Sequence, residues 1–478
     1  MSDAPVIVWF RQDLRIVDNP ALFHAAETDK PVIPLYIHSP DEEGNWSPGA
    51  ASSWWLHHSL SQLGNSLSDL GSDLVVRSGD ALSVLTDLIE KTGAVGVNWN
   101  RRYEPMVIAR DKEVKKALKK KGVDVSSFKG SLLFEPHEIE TQAGGPYKVF
   151  SPFWKRSKEH LSREVPLPAP TALRPFSSDV DTEKIESLEL LPTIDWDSGF
   201  YEAWDVGENS AMERFGKFID DAIVDYSKDR NKPGIDGTAR LSPHLHFGEI
   251  SPRQIHHRLL ELDEDNLFKR GTGIEAFFRE IGWREFAYHL IYHFPETTDT
   301  PLYSKFESFP WVKDKNLLER WQKGLTGYPL VDAGMRQLWH TGWMHNRVRM
   351  LVASFLVKDL LIHWLEGAKW FWDTLVDADL ASNSMGWQWA AGSGADAAPY
   401  FRVFNPISQS KKFDSDGDYI RRWIPELAGL SAKQIHEPWL LDEDVLKKAS
   451  SNDDVYPQPI VEHSEARHRA LMAYEKIK

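Results

Sequence analysis

The chain has 478 residues, 41% hydrophobic and 27% charged, an ordinary soluble globular composition with length for about two to four domains. It has no cysteine, which excludes disulfides, thiolate metal sites and a cysteine nucleophile. A formal net charge of −15 argues against a protein that coats nucleic acid non-specifically. The block from Ser227 to Lys412 is nonetheless close to neutral, with 23 basic against 22 acidic side chains, and leaves room for an anionic ligand. No apolar run approaches the roughly 18 residues of a membrane span, the N-terminus lacks a signal core, and the C-terminus carries no lipidation box. A cytoplasmic monomer with no membrane or obligate protein partner is expected.

Short apolar runs at 6–10, 32–37, 74–77, 95–99 and 125–128 read as strands of a mostly parallel sheet. Amphipathic stretches at 52–70, 81–91 and 105–121 read as the helices between them, so residues 1–130 form a doubly wound α/β domain. No G-x-G-x-x-G follows the first strand, which removes the dinucleotide fingerprint but leaves a crevice at the strand ends. The proline-rich run 166–175 marks a semi-extended linker within 131–205. From Ser210 the period becomes helical, with helices expected at 211–226, 251–262, 273–292, 316–323, 331–339, 346–365, 368–375 and 418–424, so residues 206–478 form a larger all-α domain. The fold class is therefore α/β followed by all-α.

Twenty tryptophans, twelve of them from Trp283 onward, serve either packing or an aromatic cofactor, substrate or electron path. Four segments hold candidate chemistry. Gly237-Thr238-Ala239-Arg240-Leu241-Ser242-Pro243 is either a phosphate cradle or a plain helix entry with Ser242 as cap. Glu280, Trp283 and Arg284 stand at i, i+3, i+4, one helical face that either binds a planar group or forms a salt bridge beside a core indole. Trp343, Asn346 and Met350 share another face, with Arg347 adjacent and Arg349 opposite; a carboxamide there suits an imide edge or is a buried core residue. Asp377-Ala378-Asp379-Leu380-Ala381-Ser382-Asn383 supplies two carboxylates and a carboxamide, as turn caps or as partners of Arg349 and a flavin-like ring. His244 and His246 lack an obvious third ligand, and no metal is expected.

Trp9-Phe10-Arg11-Gln12-Asp13-Leu14-Arg15 with Asp18-Asn19-Pro20, Thr238–Pro243, Gly327-Tyr328-Pro329, Trp343–Met350, and Asp377–Trp389 running into Ala397-Ala398-Pro399-Tyr400-Phe401-Arg402 resemble the DNA photolyase/cryptochrome family over nearly the whole chain. Within it the chain looks like a microbial cyclobutane-pyrimidine-dimer photolyase. The resemblance implies FAD in the helical domain and an antenna chromophore in the α/β domain, methenyltetrahydrofolate being favoured slightly over 8-hydroxy-5-deazaflavin, with Glu104 as an antenna contact. It implies FAD contacts at Tyr226, Thr238, Ala239, Arg240, Leu241, Ser242, Phe277, Arg349, Asp377, Ala378, Asp379 and Asn383. It places Arg230, Glu280, Trp283, Arg284, Asn346, Arg347, Met350, Trp389 and Gln409 at the damaged DNA. Trp311, Trp364 and Trp387 match a chain of tryptophans that reduces the flavin.

Three positions depart from the family pattern: Ala239 stands for a frequent Ser, Ser384-Met385 for Asn-Gly, and His137 for an aromatic. The implied activity is light-driven repair, in which photoexcited reduced FAD lends one electron to a pyrimidine dimer; the alternative is a cryptochrome-type blue-light receptor. Asn383, where plant cryptochromes carry Asp, and a chain that ends soon after the last motif favour repair. A (6-4) photolyase would carry histidines in place of Asn346 and Met350.

Overall fold

The computed structural model describes residues 4–400, 402–451 and 454–478. Met1, Ser2, Asp3 and Phe401 of the segments named above lie outside them. Five parallel strands, β1 (Val6–Phe10), β2 (Val32–His38), β3 (Val75–Ser78), β4 (Gly96–Asn100) and β5 (Asp124–Phe128), form one sheet in the order β3-β2-β1-β4-β5. Val6 pairs with Val32 on one side and with Gly96 on the other, and all five residues of β1 are buried. A strand covered on both faces has no polar face to show, which is why it reads as an unbroken apolar run. The chain winds outward from β1 to β3, then returns to β4 on the other side of β1. That reversal opens a crevice at the carboxyl ends of β1 and β4.

The three expected helices occupy Ala50–Asp69, Ala81–Thr92 and Pro105–Lys120. Asp80 caps the second by accepting from Ser83 N, and Gly93 ends it at φ +69°. A further helix, Pro20–Ala26, is too short to show a period; Asn19 caps it by accepting from Leu22 N. The proline-rich run contains no helix, and it and the segment that follows are strapped to the sheet. Val32 N donates to Arg174 O at 2.8 Å, and Glu183 N to Val76 O at 2.8 Å. The same region contains an unanticipated helix, Phe150–Ser157.

The remainder is helical, and among the described residues no helix is long and apolar enough to cross a membrane. Gly273–His293 and Pro329–Thr341 match their expected segments closely. The helix expected over 211–226 instead spans Glu208–Asp221, and Tyr226 opens the separate short helix Tyr226–Asp229. The single helix expected over 346–365 is broken. Asn346–Ser354 widens into a π-helical turn at Phe355–Asp359, Leu361 adopts φ +55°, and Trp364–Thr374 starts anew with His363 as cap. The break is fixed from outside: Val312 N donates to Leu361 O at 2.7 Å, and Val312 pairs with Ile362. Leu380–Ala391, Pro406–Phe413 and His463–Glu475 are further helices beyond those expected.

Buried polar groups lock the helical part onto the sheet. Arg15 is fully buried and donates to the carbonyls of Gly248, Asp18 and Gly130 at 2.7–2.8 Å. Gly248 sits at φ +68°, and a Cβ there would lie 2.3 Å from Gln12 O, so only glycine allows this approach.

Candidate active site

A cavity of about 550 Å³, within the usual size range of ligand sites, opens in the helical part. Segments more than a hundred residues apart converge on it. Arg230 follows the short helix Tyr226–Asp229, Ser242 opens the short helix Ser242–His246, and Glu280, Trp283 and Arg284 come from one face of Gly273–His293. Asn346, Arg347, Arg349 and Met350 come from Asn346–Ser354; Asp377, Ala378, Asp379, Asn383, Trp387 and Trp389 from the turn and helix after 376. Ser382 and Met385, from segments already marked in the sequence, also line it, together with Phe371 and Leu375, which nothing in their local pattern marked.

Arg349 corrects the expectation that it lies away from Asn346. Its long arm folds along the helix start, donating Nε–H to Met344 O at 2.7 Å and Nη2–H to both Asp377 oxygens at 2.8 and 3.1 Å. Asp377 is the more buried partner, at 2% side-chain exposure. Asp377→Ala should cost about 3 kcal/mol of stability, because it strands the guanidinium; a denaturant midpoint measured beside Asp377→Asn checks this.

Asp379 caps the Leu380–Ala391 helix by accepting from Ser382 N at 2.7 Å, and accepts from the Tyr288 hydroxyl at 2.5 Å. Burial alone would raise its pKa; His246, 3.8 Å away, together with Arg284 and Tyr288, holds it well below the ordinary carboxylate range. Asn383 Nδ2 donates to Ala368 O at 3.0 Å, which fixes the amide and leaves its oxygen for the cavity. One cap, one ion-paired carboxylate and a tethered carboxamide thus place fixed hydrogen-bonding groups on one wall.

The opposite wall is basic. Arg230 forms an ion pair with Glu280, so this carboxylate is held in place. Arg284 donates to Ser131 O at 2.8 Å, and Arg347 to Asn231 Oδ1 at 2.5 Å. His345 registers the resulting field: burial, then Arg347, Arg349 and Arg230, push its pKa down to about 3. Trp283 stacks on Phe150 with centroids 3.7 Å apart, so its indole is a rigid panel.

Ser242 is not the cap of its helix. Leu241 takes that place without a side-chain bond, and Ser242 Oγ accepts from Trp343 Nε1 at 3.3 Å. Arg240 lies at φ +49° with its guanidinium 4.4 Å from the Trp204 ring and 5.1 Å from that of Trp343. Its buried Nε has no partner among the described residues, and burial with nearby Arg214 lowers its pKa to about 10. A half-buried arginine with its Nε short of an acceptor, beside Thr238 and Ser242, fits an anionic phosphate. Ala239, Leu241, Tyr226 and Phe277 are buried in one apolar cluster, the last two with rings edge to face at 5.6 Å. These lie behind the cavity wall rather than on it, and Gln409, on Pro406–Phe413, is also outside it.

The three candidate electron donors run outward. Trp387 lines the cavity and packs against Phe371 at 5.0 Å. A Cβ on Gly367 would come within 2.1 Å of its ring, so the Trp364–Thr374 helix passes directly against the indole. Trp364, three residues earlier on that helix, is fully buried, and Trp311 is half-buried.

A second cavity, about 530 Å³, occupies the crevice at the carboxyl ends of β1, β2 and β4. Trp9, Arg11, Tyr36, Glu43 and Glu104 line it from the sheet side, His246, Trp372 and Ala378 from the helical side. Arg102 joins Glu43 at 2.7 Å to Glu104 at 3.1 Å, and Arg11 and Arg110 lie 4.8 and 4.9 Å from the Trp9 ring. The sequence indicated Glu104 and a crevice; the Trp46–Trp372 edge contact at 5.4 Å had no local signal. His244, one of the two histidines without a third ligand in the sequence, bonds Glu249 at 2.5 Å.

Residues 6–171 match the family model described as DNA photolyase, and residues 277–476 the one described as FAD binding domain of DNA photolyase. A deoxyribodipyrimidine photo-lyase of Agrobacterium fabrum is 49% identical over 100% of this chain and 99% of its own length. The Escherichia coli protein of that name is 39% identical over 98% of each chain. Cryptochrome-2 of Arabidopsis thaliana is 41% identical over 100% of this chain and 79% of its own. Among solved structures, a bacterial class III photolyase from Agrobacterium tumefaciens superposes with a TM-score of 0.94, covering 100% of this chain and 98% of that one. Fold, sequence and both family models agree: the chain belongs to the DNA photolyase family.

Proposed function

We propose that the 550 Å³ cavity binds the flavin of FAD on the wall of Asp377, Asp379, Asn383 and Arg349, with a flipped pyrimidine dimer against Glu280, Trp283, Asn346 and Met350. The protein is a light-driven DNA repair lyase that splits cyclobutane pyrimidine dimers. The observation that carries this is the meeting, in one cavity, of a carboxylate–carboxamide wall and an arginine–indole wall. When bound, photoexcited reduced FAD supplies the electron that opens the cyclobutane ring. Asn383, held by Ala368 O, orients its carbonyl toward the flavin edge, and Arg240, Thr238 and Ser242 meet the phosphates. Asn346 presents donor and acceptor to the imide edge, and Trp283 stacks a base. Extrusion from the duplex is cheapest for a damaged, poorly paired base. Arg230, Arg284 and Arg347 face the DNA backbone, with Trp389 and Gln409 at its margin.

Glu280 is held in place by Arg230; with a proton on its carboxyl it donates a hydrogen bond to the dimer and stabilises the negative charge that the electron brings. Glu280→Gln keeps the shape and much of the hydrogen bonding. We expect repair per absorbed photon to fall several-fold while affinity for dimer-containing DNA changes by less than about threefold. An unchanged photon yield removes Glu280 from the chemistry.

The second cavity is the proposed antenna site, with Trp9, Arg11 and Glu104 against an aromatic chromophore, folate being favoured over deazaflavin. The absorbance spectrum of the purified protein tests both assignments, through flavin bands and an additional near-ultraviolet or violet band. We place the functional units at 1–130 and 206–478, with 131–205 strapping them together, in a cytoplasmic monomer. The cryptochrome-type reading is disfavoured by Asn383 at the position where plant cryptochromes carry a carboxylate.

A further inference from the structure

Among the described residues, one ring contacts both Trp364 and Trp311: His363, 5.8 Å from the first, nearly parallel, and 5.1 Å from the second, at 64°. It stands at the helix break, where the Val312–Ile362 bridge brings the Trp311 segment against it. Its Nδ1 accepts from Leu365 N at 3.1 Å. The neutral imidazole therefore carries its proton on Nε2 and has no lone pair left for a proton from an oxidised indole. Burial lowers its proton affinity below the ordinary value, while Glu366 raises it and Lys369 lowers it. Both charged groups are on its own helix, and the segment packed against it presents the Trp311 indole.

We propose that His363 is a positioning residue for flavin photoreduction: as a neutral ring it joins Trp311 to Trp364, and as a cation it blocks electron flow between them. This rests on the tryptophan-chain reading above. Under light an electron leaves Trp387 for oxidised flavin, Trp364 refills Trp387, and Trp311 refills Trp364. Trp311 ends oxidised, loses its proton to solvent, and is re-reduced by an added thiol. A positive charge beside Trp364 and Trp311 opposes a hole on either, so the hole stays on Trp387 and recombines with the flavin.

The test uses FAD-loaded, oxidised protein and transient absorption of the long-lived tryptophan radical from pH 8 to pH 5. In the wild type the radical yield should fall by roughly threefold or more, with a midpoint below about 6.5. His363→Asn, which keeps an acceptor for the helix start and cannot become a cation, should give a flat profile, at a level below the wild-type yield at pH 8 because the ring between the two indoles is gone. The His363 ring resonance in the NMR spectrum, assigned by its loss in that variant, should titrate across the same midpoint. A His363→Asn profile that falls like the wild type overturns the proposal, as does a fall in the wild type while the resonance stays fixed. A Trp311→Phe variant with wild-type yield at pH 8 overturns the tryptophan chain and this inference with it; a low yield at every pH supports both. Equal flavin content and circular dichroism at each pH show that the folded protein is being compared.

Discussion

Trp311→Phe should cut light-driven reduction of the oxidised flavin by at least about tenfold, equivalent to ~1.4 kcal/mol on the limiting step. Repair by chemically reduced protein should be nearly unchanged, because splitting a dimer needs only flavin that is already reduced. The contrast follows from position. Trp387 borders the cavity and Trp364 is fully buried, so Trp311 is the indole of the three with access to solvent. As a packing residue, Trp311 would tolerate phenylalanine at a cost below about 1.5 kcal/mol, and photoreduction would persist. Photoreduction rates and repair yields from one preparation separate the two.

Glu285→Gln should stabilise the protein at pH 8 by about 2–3 kcal/mol and flatten its stability between pH 5 and pH 8. Glu285 is 3% exposed. Burial raises its pKa to about 7, against the opposing effects of Arg284 and of Phe134 N and Leu133 N, which both donate to Oε2. A carboxyl whose folded pKa lies above its unfolded value binds more protons when folded. Its ionisation therefore costs stability as pH rises from about 4.5 to about 7. Glutamine keeps one oxygen for the two amides and carries no charge. The effect matters for the site, since Glu285 pins the 133–134 loop to the helix of Glu280, Trp283 and Arg284. Urea midpoints at pH 5 and pH 8 check it, and equal pH slopes in both proteins would contradict it.

The strands were legible because a doubly covered parallel sheet leaves unbroken apolar runs, and β1 is buried at every position. The face of Glu280, Trp283 and Arg284 was legible because helical spacing alone puts them together. The break at 360–363 was not, since it is imposed by Val312, some fifty residues earlier in the chain. Nor was the Asp377–Arg349 pair's geometry, which depends on a long side chain folding back to Met344 O. Short helices such as Pro20–Ala26 are set by a cap rather than a period. Local pattern marked Asp379 as a turn residue and Asn383 as a carboxamide close by; only the fold makes them one wall.

On the proposed reading, the 550 Å³ cavity brings reduced flavin and a flipped pyrimidine dimer together for electron transfer. The most direct measurement is loss of cyclobutane dimers from a thymine-dimer oligonucleotide, using FAD-loaded, chemically reduced protein with and without near-ultraviolet or blue light. Dimers should revert to thymines under illumination and remain in the dark. A reduced holoprotein that binds the dimer-containing strand yet leaves its dimers intact under light would contradict the account.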